Sequence, residues 1–467
     1  MSAVWMRRQI AIAIALWSVV SMGNNTAIAQ LSEPSSTPLP PSAPNPQSNP
    51  QPPTPNPQLS PNPQPSPKPQ TPKKQPPPDK FPPNPLEISE PLDPLIPYDY
   101  KNRPLTADER RELVKAADRL ALIGAQRLQA QDSVGAYEAW NQELRYRRVA
   151  GFLVGEVQAL GRVGDAAWGQ TNTQQLRYIT KRLDDIRLQT EKPIAQLEND
   201  AKTPPELANP KQRMDVIEAL GFAYQQVRLP KISASLFEQV LANARQQGDD
   251  LKLEATLINL GQLHLGWFDY PNAARVYREL WQRSQARQDL FNEPLYLGQL
   301  IFVHEQAKQP KETIFYQQQL IEFHRKVNDP KPVPALIKRI ADNQQTLGQL
   351  DRAEANYQLA YKSAQPQLQW AVAGDALKKL GEMYRSNDRL DSAQRIYTFL
   401  VNVEQQAYNS YGIMEAYDQL GQIHVQQQQY SEAIVAFEQG REIARQLKFR
   451  EEYFTDQIQK AAEQAGK

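Results

Sequence analysis

The chain has 467 residues, with 53 lysines and arginines against 52 acids, a formal charge of +1 and no cysteine. Such a balance gives no concentrated positive field for a phosphate backbone, which argues against nucleic-acid binding. Without cysteine there is neither a disulfide framework nor thiol chemistry.

Arg7-Arg8 precedes an apolar run from Ile10 to Val20, and Ala27-Ile28-Ala29 forms a small-x-small cleavage pattern before Gln30. The run is short of the roughly 20 apolar residues a bilayer span needs, so 1–29 reads as a secretory signal peptide. Retention as an anchor stays open, whereas the lack of a cysteine after the cleavage pattern excludes lipid attachment there. Residues 30–100 form a proline-rich, disordered linker. The stretch 33–97 holds 26 of the 39 prolines, and Asn-Pro-Gln recurs at 45–47, 49–51, 56–58 and 62–64. Proline at this density removes backbone donors and fixes φ, so the tract is expected to be extended and solvated. At roughly 3.1 Å per residue it spans up to about 200 Å. A spacer from a membrane or through a wall, a tail without specific role, and a ligand for a polyproline-binding module are the readings it allows.

Residues 101–205 are expected to form an N-terminal helical region with degenerate repeats. Leu120-x-x-Ile123-Gly124 with Ala136 and Trp140 fits the pattern described next, and Val157-x-x-Leu160-Gly161 fits its first half. One long charged helix is predicted over about Thr173 to Asn199. From 206 to 467 the pattern is plain. It reads Ile217-x-x-Leu220-Gly221-x-x-Tyr224, Leu257-x-x-Leu260-Gly261-x-x-His264, Leu377-x-x-Leu380-Gly381-x-x-Tyr384 and Tyr417-x-x-Leu420-Gly421-x-x-His424. Twelve residues after each glycine stands Ser233, Ala273, Ala393 or Ala433, and four residues later Phe237, Tyr277, Tyr397 or Phe437. Ile337-x-x-Ile340-Ala341 with Ala353 and Tyr357 is a fifth copy; Leu297-Gly298 is read as a sixth, followed by a loop about three residues longer. Repeats of this length mean stacked helix pairs, because one pair cannot bury its apolar face alone. The glycines cost about 1 kcal/mol each inside a helix, which close helix packing must offset.

These residues resemble the tetratricopeptide repeat family in a longer form of about forty residues per repeat. The resemblance implies an all-α, right-handed α-solenoid of stacked antiparallel helix pairs, with the first helix of each pair lining a concave groove. It also implies that the fifth, ninth and twelfth positions of that helix, counting the glycine as eighth, bind a partner. Those positions are Glu218, Phe222 and Gln225; Ile258, Gln262 and Leu265; Leu295, Gln299 and Phe302; Lys338, Asp342 and Gln345; Lys378, Glu382 and Arg385; and Asp418, Gln422 and Val425. An exposed Phe222, Ile258, Leu265 or Phe302 would form a patch that wants a partner; superhelix packing over them is the alternative. Family members that clamp a terminal carboxylate use an asparagine at the ninth position, and none stands there, although Lys338, Lys378 and Arg385 leave an acidic peptide as a candidate ligand.

Chemistry-bearing patterns are sparse. His264 and His424 occupy a packing position, and His304 and His324 have no partner at metal-ligand spacing. No phosphate loop, nucleophile elbow or dinucleotide fingerprint is present; Gly161-x-x-Gly164 is too short and follows a helical pattern. No catalytic residue, cofactor or metal is therefore expected. The expected function is an exported, non-enzymatic protein–protein interaction scaffold that binds a protein or peptide segment. It would sit in a bacterial periplasm, or in a thylakoid lumen if the cell is photosynthetic, with no membrane span after signal removal. Alternatives are an accessory factor of cell-wall or envelope assembly, and a self-associating protein forming a homo-oligomer, which an exposed apolar helix around Tyr453 to Ile458 would favour.

Overall fold

The computed structural model describes residues 84–90, 92–198 and 204–466. The expected signal peptide and most of the proline-rich tract lie outside them. Every regular element among the described residues is helical. The N-terminal pairs are α1 (Ala107–Gln129) with α2 (Ser133–Ala150) and α3 (Leu153–Gly169) with α4 (Thr173–Thr190). Short helices α5 (Ile194–Glu198) and α6 (Pro205–Ala208) follow. Then come α7 (Pro210–Gln226) with α8 (Pro230–Gln247), α9 (Asp250–Gly266) with α10 (Tyr270–Ala286), and α11 (Asn292–Gln306) with α12 (Pro310–Lys326). The last pairs are α13 (Val333–Thr346) with α14 (Leu350–Ala364), α15 (Trp370–Ser386) with α16 (Leu390–Gln406), and α17 (Ser410–Gln426) with α18 (Tyr430–Leu447); α19 (Glu451–Ala465) ends the array. The result is an all-α solenoid of stacked antiparallel helix pairs.

What sets its period is the turn. From Arg228 to Lys448 a residue with left-handed φ occurs every 20 residues, through 248, 268, 288 and so on. The amide after each such residue reaches back to the carbonyl five positions earlier, as Asp269 N does to His264 O at 2.8 Å and Gln429 N to His424 O at 2.8 Å. That is a Schellman stop. The same residue then begins the next helix: Asp249 Oδ1 accepts from Lys252 N at 3.0 Å, and Asn409 Oδ1 from Gly412 N at 3.1 Å. One short link, of three residues at most of the joints, thus stops one helix and starts another. All four histidines of the chain lie four residues before a left-handed one. Three of them clasp the turn through ring Nδ1: His264 to Asp269 at 3.0 Å, His304 to Gln309 at 2.7 Å and His424 to Gln429 at 2.7 Å. The His324 Nδ1 stands 3.3 Å from Asp329 without a hydrogen bond.

The glycine–aromatic pairs pack as their spacing predicts. A Cβ at Gly261 would sit 2.8 Å from the Tyr277 ring, at Gly381 2.9 Å from Tyr397, and at Gly421 2.4 Å from Phe437. Gly124 faces Trp140 in the same way at 2.2 Å, so the degenerate first repeat is a real one. The small residues Ser233, Ala273, Ala353, Ala393 and Ala433 are all fully buried.

Three expectations need correction. Gly298 is not a signature glycine: it is exposed, and a Cβ there would meet nothing within 4 Å. The 20-residue turn period makes Ile301 the equivalent of Gly261, while the expected longer loop is present between α12, which ends at Lys326, and α13, which starts at Val333. Where the glycine gives way to Ile301, the aromatic gives way too, to buried Gln317, which keeps the pair within the available volume. The long charged helix stops at Thr190, because Pro193 removes a donor and clashes with the preceding turn. The C-terminal helix is a cap and not an exposed apolar face: Phe454 is fully buried and packs where a Cβ on Gly440 would be 2.4 Å away.

The end of the proline-rich tract is docked. Leu86 and Ile96 are buried, and Arg145 of α2 holds Asp93 through two bonds of 2.5 and 3.0 Å and the Pro85 carbonyl at 2.6 Å. Between the two halves, Tyr224 of α7 donates to Asp184 of α4 at 2.7 Å. Gly161 lets α3 approach α7, a Cβ there falling 2.9 Å from the Ala223 backbone.

Candidate functional site

The first helices of the pairs carry the expected binding positions, and the structure sorts these into two groups. In the C-terminal pairs they are engaged within the solenoid. Lys378 bonds Glu415 at 2.6 Å, Arg385 bonds Gln419, and Lys338 lies 3.4 Å from Asp342. The Tyr357 hydroxyl lies 2.8 Å from Asp342 Oδ1 and 2.9 Å from Gln345 Oε1, two acceptors for its one proton. Burial works against charge on Lys378, but its bond to Glu415 holds the pKa above the usual lysine range. Asp418 is not available to a partner. It is buried and accepts from Gln422 at 3.0 Å, the Tyr453 hydroxyl at 2.8 Å and Arg450 at 3.1 Å. Gln422 also bonds the Tyr453 hydroxyl at 3.1 Å, so the cap helix closes this end.

In the N-terminal pairs the positions are apolar or amide except for Glu218. Glu218 bonds Lys252 of the next pair. Phe222 is 41 % exposed although it packs edge-on against Phe237, with centroids 5.0 Å apart. Ile258 and Leu265 are partly buried and packed against the core. Phe302 is 43 % exposed. With Ile301 as the eighth position, Phe302 becomes the ninth and Glu305 the twelfth; Leu295 and Gln299 leave the register. Glu305 was missed for that reason, and it bonds Arg339 of the next pair.

Gln225 and Gln262 join Trp168, Arg228, Leu263, Gly266 and Trp267 around a surface cavity of about 370 Å³. Trp168 is 51 % exposed and Trp267 43 %, an unusual disposition for tryptophan. Arg228 lies 3.3 Å from Asp165, so no lining charge is left uncompensated. The sequence pattern missed Trp168 because Gly161 was taken as the register glycine. The left-handed turn at Thr171 follows Gly164 by seven residues, as the turn at Arg228 follows Gly221. Gly164 is therefore the register position, and Trp168 stands beside Gln225 and Leu265 as a twelfth-position residue. The cavity thus joins the exposed rings of Trp168 and Trp267 across Gln225 and Arg228 of the layer between them, while Phe222 and Phe302 share the ninth position with Gln262.

Among the described residues no group of three or more histidines, acids or cysteines could hold a metal ion. No helix among them is long and apolar enough to cross a membrane. The molecule is a TPR-like scaffold of stacked helix pairs, without a catalytic cluster among its described residues.

Comparison with family models agrees with the fold over part of the chain. The tetratricopeptide repeat model matches residues 373–446, which cover most of α15 through α18. No curated protein matches the chain. Solved structures similar to it include BtubC (BKLC) from P. vanneervenii, at 17 % identity over 47 % of this chain and 92 % of that one, TM-score 0.34. The apo form of RapI is 13 % identical over 62 % of this chain and 77 % of that one, TM-score 0.37. The apo quorum sensor NprR from B. thuringiensis is 12 % identical over 66 % and 80 %, TM-score 0.31.

Proposed function

We propose that this protein is an exported interaction scaffold that holds an extended, largely uncharged polypeptide segment along the first helices of its N-terminal and central pairs. The observation that carries this reading is the exposure of Trp168 and Trp267 on one cavity and of Phe222 and Phe302 at the ninth position of their helices. Several exposed aromatics along one face form the kind of patch that binding covers. The C-terminal pairs contribute stiffness more than contacts, because their charged positions already tie neighbouring layers together. Export rests on Arg7-Arg8, the apolar run and Ala27-Ile28-Ala29; the periplasm is the compartment this favours, with the thylakoid lumen its counterpart in a photosynthetic cell.

The test is affinity capture from crosslinked cells with the wild type and with a variant carrying W168A, F222A, W267A and F302A, after circular dichroism has shown equal helicity. Loss of one defined partner from the variant supports the reading. Equal recovery moves the site elsewhere.

A further inference from the structure

The joint between α16 and α17 holds a buried acid where the repeat elsewhere holds a small residue. Four residues before the left-handed turn residue that ends a second helix stand Ala244, Ser284, His324, Ala364 and Ala444, but before Tyr408 stands Glu404. Glu404 is only 7 % exposed. Room for its carboxyl is made from both sides. A Cβ on Gly374 of α15 would lie 2.5 Å from Glu404 Oε1, and a Cβ on Gly412 of α17 would lie 2.6 Å from Oε2. Forty residues to either side of Gly374 stand Pro334 and Met414, and forty before Gly412 stands Val372. The two glycines thus belong to the acid and not to the repeat pattern. The Asn409 Nδ2 donates to the carboxyl at 2.7 Å, and the Oδ1 of the same side chain caps α17 by accepting from Gly412 N at 3.1 Å. Carboxyl, link and first turn of α17 are therefore one unit.

Helix α16 packs on α15 and α17, and the charged groups these present to Glu404 are Asp375 and Lys378 of α15 and Glu415 of α17. Lys378 is bonded to Glu415 at 2.6 Å, so its charge is already matched. An ionised Glu404 would then share the joint with Asp375 and have no cation of its own, and a buried charge of that kind is unfavourable. Burial raises the carboxyl's pKa, with Asp375 and Glu415 adding to it, against the Asn409 bond and the Lys378 charge. We infer that the joint between α16 and α17 is a pH-responsive hinge, closed while Glu404 carries its proton and opening locally as the proton is lost. In the open joint the carboxyl is in water and titrates in the ordinary glutamate range. The closed joint keeps its proton to higher pH, so closure is fully favoured below that range and weakens as pH rises through the raised value. Within this window each pH unit multiplies the open population by about ten. Acid thus stiffens the C-terminal end of the scaffold, and neutral pH relaxes it.

The experiment is peptide-resolved hydrogen exchange of the whole chain from about pH 4 to about pH 8, corrected for the intrinsic exchange rate, in the wild type, E404Q and E404A. In the wild type, protection of α17 to α19 should fall about tenfold per pH unit across the window, while that of α7 to α10 stays level. E404Q should keep the acid-state protection at every pH. E404A, which places in the joint the residue found at 244, 364 and 444, should shift protection by one constant factor at all pH values. A wild type whose α17 to α19 protection does not change with pH overturns the inference, as does a wild-type pH dependence in either variant.

Discussion

Adding one methyl group at two glycines should act in opposite ways, and the structure says by how much. Gly298 and Gly421 are both interior to helices, so alanine at either gains the same backbone term of about 0.5–1 kcal/mol. At 298 a Cβ meets nothing within 4 Å, and G298A should stabilise by that amount. At 421 a Cβ would lie 2.4, 2.6 and 2.7 Å from three atoms of the Phe437 ring, which is itself fully buried and cannot retreat. Overpacking of that kind costs about 1–3 kcal/mol. Because the backbone term cancels, G421A should fall below G298A by about 1–3 kcal/mol. The assay is urea unfolding followed by circular dichroism, with the two variants and the wild type at one protein concentration. Equal shifts in the same direction would refute the assignment of Ile301 in place of Gly298 as the register position, and with it the 20-residue turn period.

Other perturbations separate further parts of the account. F454A removes a fully buried ring from the cap and should cost about 3–5 kcal/mol, released as early hydrogen exchange in α19 and α18 while α7 to α10 stay protected. D93A leaves Arg145 with only the Pro85 carbonyl; it should cost about 1.5–3 kcal/mol and open the stretch 84–100 to a protease, and an unchanged cleavage pattern would contradict its docking on α2. Burial raises the pKa of Glu404, against the bond that Asn409 donates to it at 2.7 Å. The folded state then holds a proton that the unfolded state has already lost, so stability falls as pH rises from the ordinary glutamate range through the raised folded value. E404Q should flatten that slope, gaining stability above the window and none below it; parallel pH profiles for the two proteins would exclude the effect.

The repeat and its glycine–aromatic packing were legible because they depend on side-chain volume, which the sequence states directly: Gly261 with Tyr277 and Gly421 with Phe437 could be read off by spacing. The turn was harder. Its left-handed residue is a glycine only at Gly151, Gly248 and Gly348, and elsewhere is as bulky as Phe268, Leu368 or Tyr408. Such residues give no turn signal, although the left-handed conformation costs them roughly 1–2 kcal/mol, so the register slipped at Gly298 and at Gly161. Both slips touched the candidate site. One displaced Leu295 and Gln299 into it, and the other hid Trp168. The charged positions Lys378, Arg385 and Asp418 looked like ligand contacts because their sequence-distant partners, Glu415, Gln419 and Tyr453, become neighbours only when the layers stack.

The most direct test of the interaction face is a photo-reactive amino acid placed singly at Phe222, at Trp267 and at Phe399, the last a residue of α16 that is 58 % exposed and off the first-helix face. After irradiation of living cells, the account predicts the same polypeptide adduct at 222 and 267 and none at 399. An adduct at 399 with none at 222 and 267 would contradict it.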